Sequence, residues 1–160
     1  MRPCPIGRCA LRLRARLRAI GLALALSFAC TGAPQAGLSG HGGPVTAVAL
    51  APDGRLALTG SFDYTLKLWD LGRQAVLQTL RGHNGAVTAV AFLPDSRRAL
   101  SAGDDGTLRL WDAAYGQELH RFDAHQGKVS DVALAPDGSL AASAGWDGRV
   151  RLWDLEARTP

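Results

Sequence analysis

Cysteine occurs in this 160-residue sequence only at positions 4, 9 and 30. Residues 31–160 therefore contain no thiol, which excludes a disulfide framework, a thiolate metal site and a cysteine nucleophile in that part. No Cys-x-x-Cys-His segment is present to attach a haem. Phosphate-binding loops carry Gly-x-x-x-x-Gly-Lys-Ser/Thr or Gly-x-Gly-x-x-Gly, and neither pattern precedes a helix-forming segment in this sequence. We therefore expect no cofactor.

Acidic residues are absent from residues 1–30, which hold six arginines. Residues 31–160 carry 12 Lys or Arg against 14 Asp or Glu, so their net charge is −2 although the whole chain has a formal charge of +4. The basic excess belongs to the N-terminal segment. It gives no support for nucleic-acid binding by the remainder, whose apolar content is typical of a globular domain.

An apolar run, residues 19–29, follows this basic segment. It is shorter than the ~20 residues that a transmembrane helix needs. A basic segment, a short apolar run and the small residues Ser27 and Ala29 before a cleavage point are typical of a secretory signal peptide. We predict a signal peptide at 1–29, a flexible tether at 30–37 and export to the periplasm of a bacterium.

Cys30 adds a second interpretation of the same segment. Residues 26–30, Leu-Ser-Phe-Ala-Cys, resemble a bacterial lipobox in which Ser27 stands where such motifs usually carry Leu. Lipidation of Cys30 would anchor the chain at the cell envelope, and we expect no other membrane association. An organellar transit peptide is the remaining alternative, but the compact apolar run is not amphipathic, which favours export.

A pattern of apolar, cationic, apolar, Trp and Asp occupies residues 66–70 and recurs at 108–112 and 150–154, each time 42 residues later. Such alternation predicts a β-strand with one face toward a core. The same period relates three histidines, three hydroxyl residues and three aspartates: His41, His83 and His125; Thr59, Ser101 and Ser143; Asp63, Asp105 and Asp147. Four independent positions thus agree on three structural repeats.

Gly-His opens the first two repeats at Gly40-His41 and Gly82-His83, Pro-Asp lies in the middle of each repeat, and Trp-Asp closes all three. On these motifs residues 38–160 resemble WD40-repeat proteins, although Ala124-His125 departs from Gly-His. The resemblance implies an all-β fold, a WD40-type β-propeller segment of three four-stranded blades. The blades would span 38–80, 81–122 and 123–160, with the third incomplete.

Propellers of this kind close with about 4–8 blades, so we expect that this chain does not close a ring alone. Additional blades or a homo-oligomer would be needed. The alternative is two chains that supply six blades, with Gln35–Leu38 as the missing outer strand. Pro34 and Gly37 disfavour that strand, so the sequence favours a fragment of a longer protein. Val45–Leu50 is apolar at nearly every position, which predicts an inner strand covered on both faces.

Histidine, a hydroxyl and a carboxylate are also the parts of a nucleophilic triad. Because this set recurs in every repeat, we interpret it as structural: a buried histidine needs partners for both ring nitrogens. The resemblance implies a tetrad in each repeat, completed by Trp69, Trp111 and Trp153. One histidine per repeat is too dispersed for a zinc site. We expect no catalytic, metal or cofactor residue, and no enzyme activity.

Recognition is expected at positions that differ between repeats. Phe62, Asp104 and Trp146 share one such position, and the resemblance implies that their loop and the histidine loop lie on one rim. The predicted partner-binding rim comprises Phe62, Asn84, Asp104, Gln126, Lys128 and Trp146. The alternative is that both aromatic residues pack on neighbouring blades. Tyr64 stands where Gly106 and Gly148 permit positive φ, so we expect a different turn in the first repeat.

These features predict a non-catalytic, exported WD40 scaffold that binds a protein or peptide. The rival prediction is a blade segment of a larger periplasmic enzyme or c-type cytochrome assembly. Its catalytic or haem domain would lie outside this chain.

Overall fold

A computed structural model describes residues 37–160, and within that range it contains eleven β-strands and no helix. The strands are β1 Val45–Leu50, β2 Leu56–Ser61, β3 Thr65–Asp70, β4 Ala75–Arg81, β5 Val87–Phe92, β6 Arg98–Gly103, β7 Thr107–Asp112, β8 Gln117–Asp123, β9 Val129–Leu134, β10 Leu140–Gly145 and β11 Val150–Asp154. The described residues include no helix long and apolar enough to span a membrane.

The strands form three antiparallel sheets, which we call blade 1 (β1–β4), blade 2 (β5–β8) and blade 3 (β9–β11). In each blade, consecutive strands are hydrogen-bonded neighbours. The sheets remain open, and blade 3 has three strands. The predicted all-β fold, a propeller segment not closed by the chain alone, is therefore confirmed.

Tight turns join the first two strands of each blade. In blade 1, the Ala51 N–H donates to the Leu56 carbonyl at 2.9 Å and the Gly54 N–H donates to the Ala51 carbonyl at 2.8 Å. Pro52 and Gly54 suit this turn because proline fixes φ and glycine adopts positive φ without strain. In blade 2, Ser96 holds the equivalent positive φ, and its hydroxyl accepts the Asp53 N–H at 3.2 Å. The two turns are thereby linked across the blades.

The hydrophobic cores lie between successive blades. We call the side of a blade that meets the next blade its trailing face, and the opposite side its leading face. Leu66 and Leu68 on the trailing face of blade 1 share a buried cluster with Val87, Phe92 and Trp111 of blade 2. Leu108 and Leu110 of blade 2 are packed in the same way with Val129 and Trp153 of blade 3. Full burial stabilises each Leu by about 1.5–3 kcal/mol, so these two interfaces hold the blades together.

The prediction that Val45–Leu50 is covered on both faces is wrong for the described residues. In β1, Val45, Val48 and Leu50 are exposed, whereas the equivalent strand β5 is largely buried. The physical reason is that the leading face of β1 has no blade in front of it, while β5 packs on blade 1.

The prediction of a different turn at Tyr64 is also wrong. Tyr64 has a φ of 66°, close to the 77° of Gly106 and the 74° of Gly148. Its N–H donates to the Ser61 carbonyl at 3.2 Å, as the Gly106 N–H does to the Gly103 carbonyl. The surrounding sheet therefore imposes one turn on all three blades, and Tyr64 adopts a left-handed conformation that costs a non-glycine residue about 1 kcal/mol or more.

Several predictions concern residues outside the described range. These are the signal peptide at 1–29, almost all of the tether at 30–37, Cys30, and the first half of the outer strand predicted at Gln35–Leu38. Gly37 and Leu38 are described, and neither belongs to a strand.

Candidate functional site

Each blade brings one histidine, one hydroxyl residue, one aspartate and one tryptophan into contact. In blade 2, His83 Nε2 lies 2.7 Å from Ser101 Oγ, and Trp111 Nε1 lies 2.8 Å from the same oxygen. The other ring nitrogen, His83 Nδ1, lies 3.0 Å from Asp105 Oδ2. The corresponding distances are 2.7, 2.7 and 2.9 Å for His41, Thr59, Trp69 and Asp63, and 2.7, 2.9 and 2.8 Å for His125, Ser143, Trp153 and Asp147.

With a neutral imidazole, the chemistry of these groups sets the direction of each hydrogen bond. An ionised carboxylate can only accept, so the histidine Nδ1–H donates to Asp105. His83 Nε2 then accepts from the Ser101 hydroxyl, and the Ser101 oxygen accepts the Trp111 indole N–H. In the tetrad of blade 2 each of these four side chains has a hydrogen-bond partner, which a buried polar network requires.

The aspartate of each set also ties two loops together. Asp105 accepts the Asn84 N–H at 2.9 Å and the Thr107 hydroxyl at 2.8 Å. Burial is the largest single effect on this carboxyl and opposes its ionisation. Hydrogen bonds from His83, the Asn84 N–H and Thr107 outweigh it, and they hold the pKa of Asp105 well below its usual range. The pKa of Asp63 is likewise lowered, against the effect of burial, by Thr65, the Gly42 N–H and His41.

This geometry makes the tetrads unsuitable as nucleophilic triads. The Ser101 hydroxyl is fully buried, and its oxygen already accepts the Trp111 N–H. A nucleophile has to reach a substrate carbonyl, and the buried Ser101 hydroxyl is not accessible to a substrate. The tetrads therefore hold the histidine loop against the loop between the second and third strands of the same blade. Among residues 37–160, no group of three or more His, Cys, Asp or Glu could hold a metal ion.

The predicted rim residues lie on these two sets of loops. Phe62 and Trp146 are 51% and 74% exposed, and Asn84 and Gln126 are exposed as well. Phe62 stays exposed although blade 2 is packed beside blade 1. The structure therefore does not bury these aromatic side chains among the described blades.

Lys128 connects the rims of blades 2 and 3. Its ammonium lies 3.1 Å from Asp104 Oδ1 in blade 2 and 5.5 Å from the centroid of the Trp146 ring. Its carbonyl accepts the Trp146 N–H at 2.9 Å. One face of the indole is thus occupied by a cation, and the remaining indole surface points to solvent.

Tyr64 is a rim residue that the predicted set did not include. It lies two residues after Phe62, is 51% exposed, and occupies a position where blades 2 and 3 have glycine. The sequence carries a signal for this residue, because Tyr64 breaks the repeat, although the same departure predicts a different turn. Phe62 and Tyr64 together give the rim of blade 1 two exposed aromatic rings.

Three blades with one buried tetrad each define a segment of a β-propeller. The family model described as "WD domain, G-beta repeat" matches residues 32–70, 74–112 and 116–154, and the chain accordingly belongs to the WD40 family. The matched unit is offset from the blade: residues 74–112 contain β4 of blade 1 and then β5–β7 of blade 2. WD40 repeats generally serve as scaffolds for protein–protein interaction and are typically non-catalytic.

Two similar proteins from Saccharomyces cerevisiae match short stretches of the chain. COMPASS component SWD1 is 53% identical over 36 residues, which are 22% of this chain and 8% of the relative. Guanine nucleotide-binding protein subunit beta is 54% identical over 37 residues, which are 23% of this chain and 9% of the relative. The chain thus covers less than a tenth of either relative.

Proposed function

We propose that this chain is an exported, non-catalytic WD40 scaffold whose rim binds a protein or peptide. The observation that carries the proposal is the contrast between repeated and unrepeated residues. His, Ser or Thr, Asp and Trp recur in every blade and hydrogen-bond to one another, whereas Phe62, Tyr64 and Trp146 differ between blades and are exposed. Blades beyond those of a single chain complete the ring.

The aromatic side chains are the expected anchors for a partner. Large aromatic residues surrounded by polar groups dominate the binding energy of protein interfaces. Tyr64 keeps a strained backbone conformation on an exposed turn, and such strain tends to persist at sites under functional constraint. Lys128 and Asp104 compensate each other's charge, so apolar and aromatic groups of a partner are favoured over strongly charged ones.

A peptide selection tests the rim directly. Peptides selected from a random displayed library against the folded protein would be measured by calorimetry against the variants Phe62→Ala and Trp146→Ala. Loss of a hot-spot anchor of about 2 kcal/mol raises Kd roughly 30-fold. Tyr115→Ala is the matched control, because Tyr115 is an exposed aromatic on the opposite rim. Unchanged affinity in both rim variants, or an equal loss in the control, would refute the assignment.

Export is proposed from the N-terminal sequence alone. Six arginines, no acid and a short apolar run precede a small-residue cleavage point. In a bacterial host, a fusion of the chain to alkaline phosphatase should be active only when residues 1–29 are present. Incorporation of labelled palmitate that Cys30→Ala abolishes would assign a lipid anchor, and cleavage without labelling would assign a free periplasmic protein.

A further inference from the structure

Two apolar faces of the described blades have no partner. On the leading face of blade 1, Val48 is 68% exposed and is flanked by exposed Val45 and Leu50. On the trailing face of blade 3, Leu152 is 64% exposed, next to exposed Val150. Scattered exposed apolar residues are normal, but a contiguous row on each end face indicates an interaction surface.

The molecule itself shows what covers such faces. β1 reads Val-Thr-Ala-Val-Ala-Leu and β5 reads Val-Thr-Ala-Val-Ala-Phe, and β5 packs on the trailing face of blade 1. Val150 and Leu152 occupy the positions of Leu66 and Leu68 in β3, which are buried in that same interface. The two unpartnered faces therefore correspond in position to the two sides of an interface that the described blades form twice.

A hydroxyl contact gives the interface its register. The Thr46 hydroxyl donates to the Val87 carbonyl of the next blade, and the Thr88 hydroxyl donates to the Val129 carbonyl at 2.6 Å. Ser130 is the third residue in this series and is exposed on β9. By the 42-residue period, its acceptor is the carbonyl of a residue equivalent to Val45.

We propose that the trailing face of blade 3 packs against the leading face of blade 1 of a second copy, so that two chains form one six-bladed ring. A face that binds a different face of its own copy forms a closed ring when the rotation completes a circle. Two copies supply six blades, inside the range of about 4–8 in which propellers close, and three copies would exceed it. This inference rests on the proposed ring closure and is independent of binding at the rim.

The new interface differs from the two internal ones at several positions. The three strands of blade 3 provide no counterpart of Leu80 or Phe122, and Ala142 stands where blades 1 and 2 have Leu58 and Leu100. Asp131 lies on the trailing side of β9 where β5 has Ala89, which is buried in the core between blades 2 and 3. A carboxylate beside an apolar seam loses hydration when the faces meet. The second copy is therefore bound more weakly than blade 3 is bound to blade 2, and Asp131→Ala should tighten the dimer at least threefold.

Analytical ultracentrifugation of the full chain over a range of concentrations tests the proposal, because it measures the mass of the protein in solution. We expect twice the mass of one chain, which is 16.8 kDa for all 160 residues and less once residues 1–29 have been removed. Val48→Asp and Leu152→Asp should each weaken association at least 100-fold, with unchanged far-UV circular dichroism because both side chains are exposed within a single chain. Tyr115→Asp, on the rim away from both faces, is the control and should remain dimeric.

Mixing the two variants separates this geometry from other dimers. A mixed ring has one seam between two unmodified faces and one seam with both substitutions, so the mixture should recover part of the dimer that neither variant forms alone. A single-chain mass at every concentration, as expected if further blades of a longer protein cover these faces, would overturn the proposal. So would dimers that neither substitution weakens. Phe62→Ala should change peptide affinity and leave the mass unchanged, so the two proposals fail separately.

Discussion

Removal of the Ser101 hydroxyl is the most informative perturbation of the blade structure. In the Ser101→Ala variant, Trp111 Nε1–H and His83 Nε2 both lose their partner at a site with no access to solvent. Each buried polar group left unsatisfied costs about 1–3 kcal/mol. We therefore expect the free energy of unfolding to fall by about 2–6 kcal/mol, a large share of the ~5–15 kcal/mol of an ordinary domain.

A double-mutant cycle tests the origin of this loss. Trp111→Phe removes the indole donor, so adding Ser101→Ala to it leaves only His83 without a partner. The cost of Ser101→Ala should then be smaller by about 1–2 kcal/mol than in the unmodified protein, because contacting residues are not additive. Urea denaturation followed by circular dichroism measures all four free energies of unfolding.

Ser139→Ala is a suitable control, because the Ser139 hydroxyl bonds only the neighbouring Asp137, in an exposed turn. It should change stability by no more than about 0.5 kcal/mol. A loss below about 1 kcal/mol for Ser101→Ala, or strict additivity with Trp111→Phe, would show that the tetrad is not a coupled, water-excluded network.

Three further predictions concern the turns and the tetrads. Tyr64→Gly should raise the free energy of unfolding, measured by urea denaturation, by up to about 1 kcal/mol. The reason is that the relief of left-handed backbone strain exceeds the cost of the extra conformational entropy that glycine gives the unfolded chain. Destabilisation would show that Tyr64 makes a compensating contact. Gly103→Ala should destabilise by at least about 1–3 kcal/mol, since its Cβ would lie 2.6 Å from His83 Nδ1; a neutral effect would contradict the packing of the tetrad. The pKa of Asp105 is lower in the folded protein than in the unfolded chain, where it is about 4. The ionised Asp105 therefore stabilises the fold fully above pH 4, and this stabilisation is lost as the pH falls below that value. Asp105→Asn should accordingly flatten the decline of thermal stability between about pH 4 and 2. An unchanged acid limb would contradict that prediction.

The sequence by itself determined the strands and turns of each blade, because a blade is formed by residues that are close together in the chain. Its strands are adjacent in the chain, its turns carry Pro-Asp or glycine, and a 42-residue period marks the residues that must be copied for every unit to fold. For this reason the strands and the four partners of each tetrad could be predicted by number, and the structure brings those partners together within hydrogen-bonding distance.

Only the tertiary structure decided which copies of a repeated pattern are covered. Val48 and Val90 are the same residue in the same local sequence, yet Val48 is exposed because burial depends on the neighbouring blade rather than on the strand itself. The same reason explains Tyr64: local preference disfavours its positive φ, and the hydrogen bonds of the surrounding sheet impose it. The contact of Lys128 with Asp104 likewise joins two blades, and no periodicity within one repeat could have revealed it.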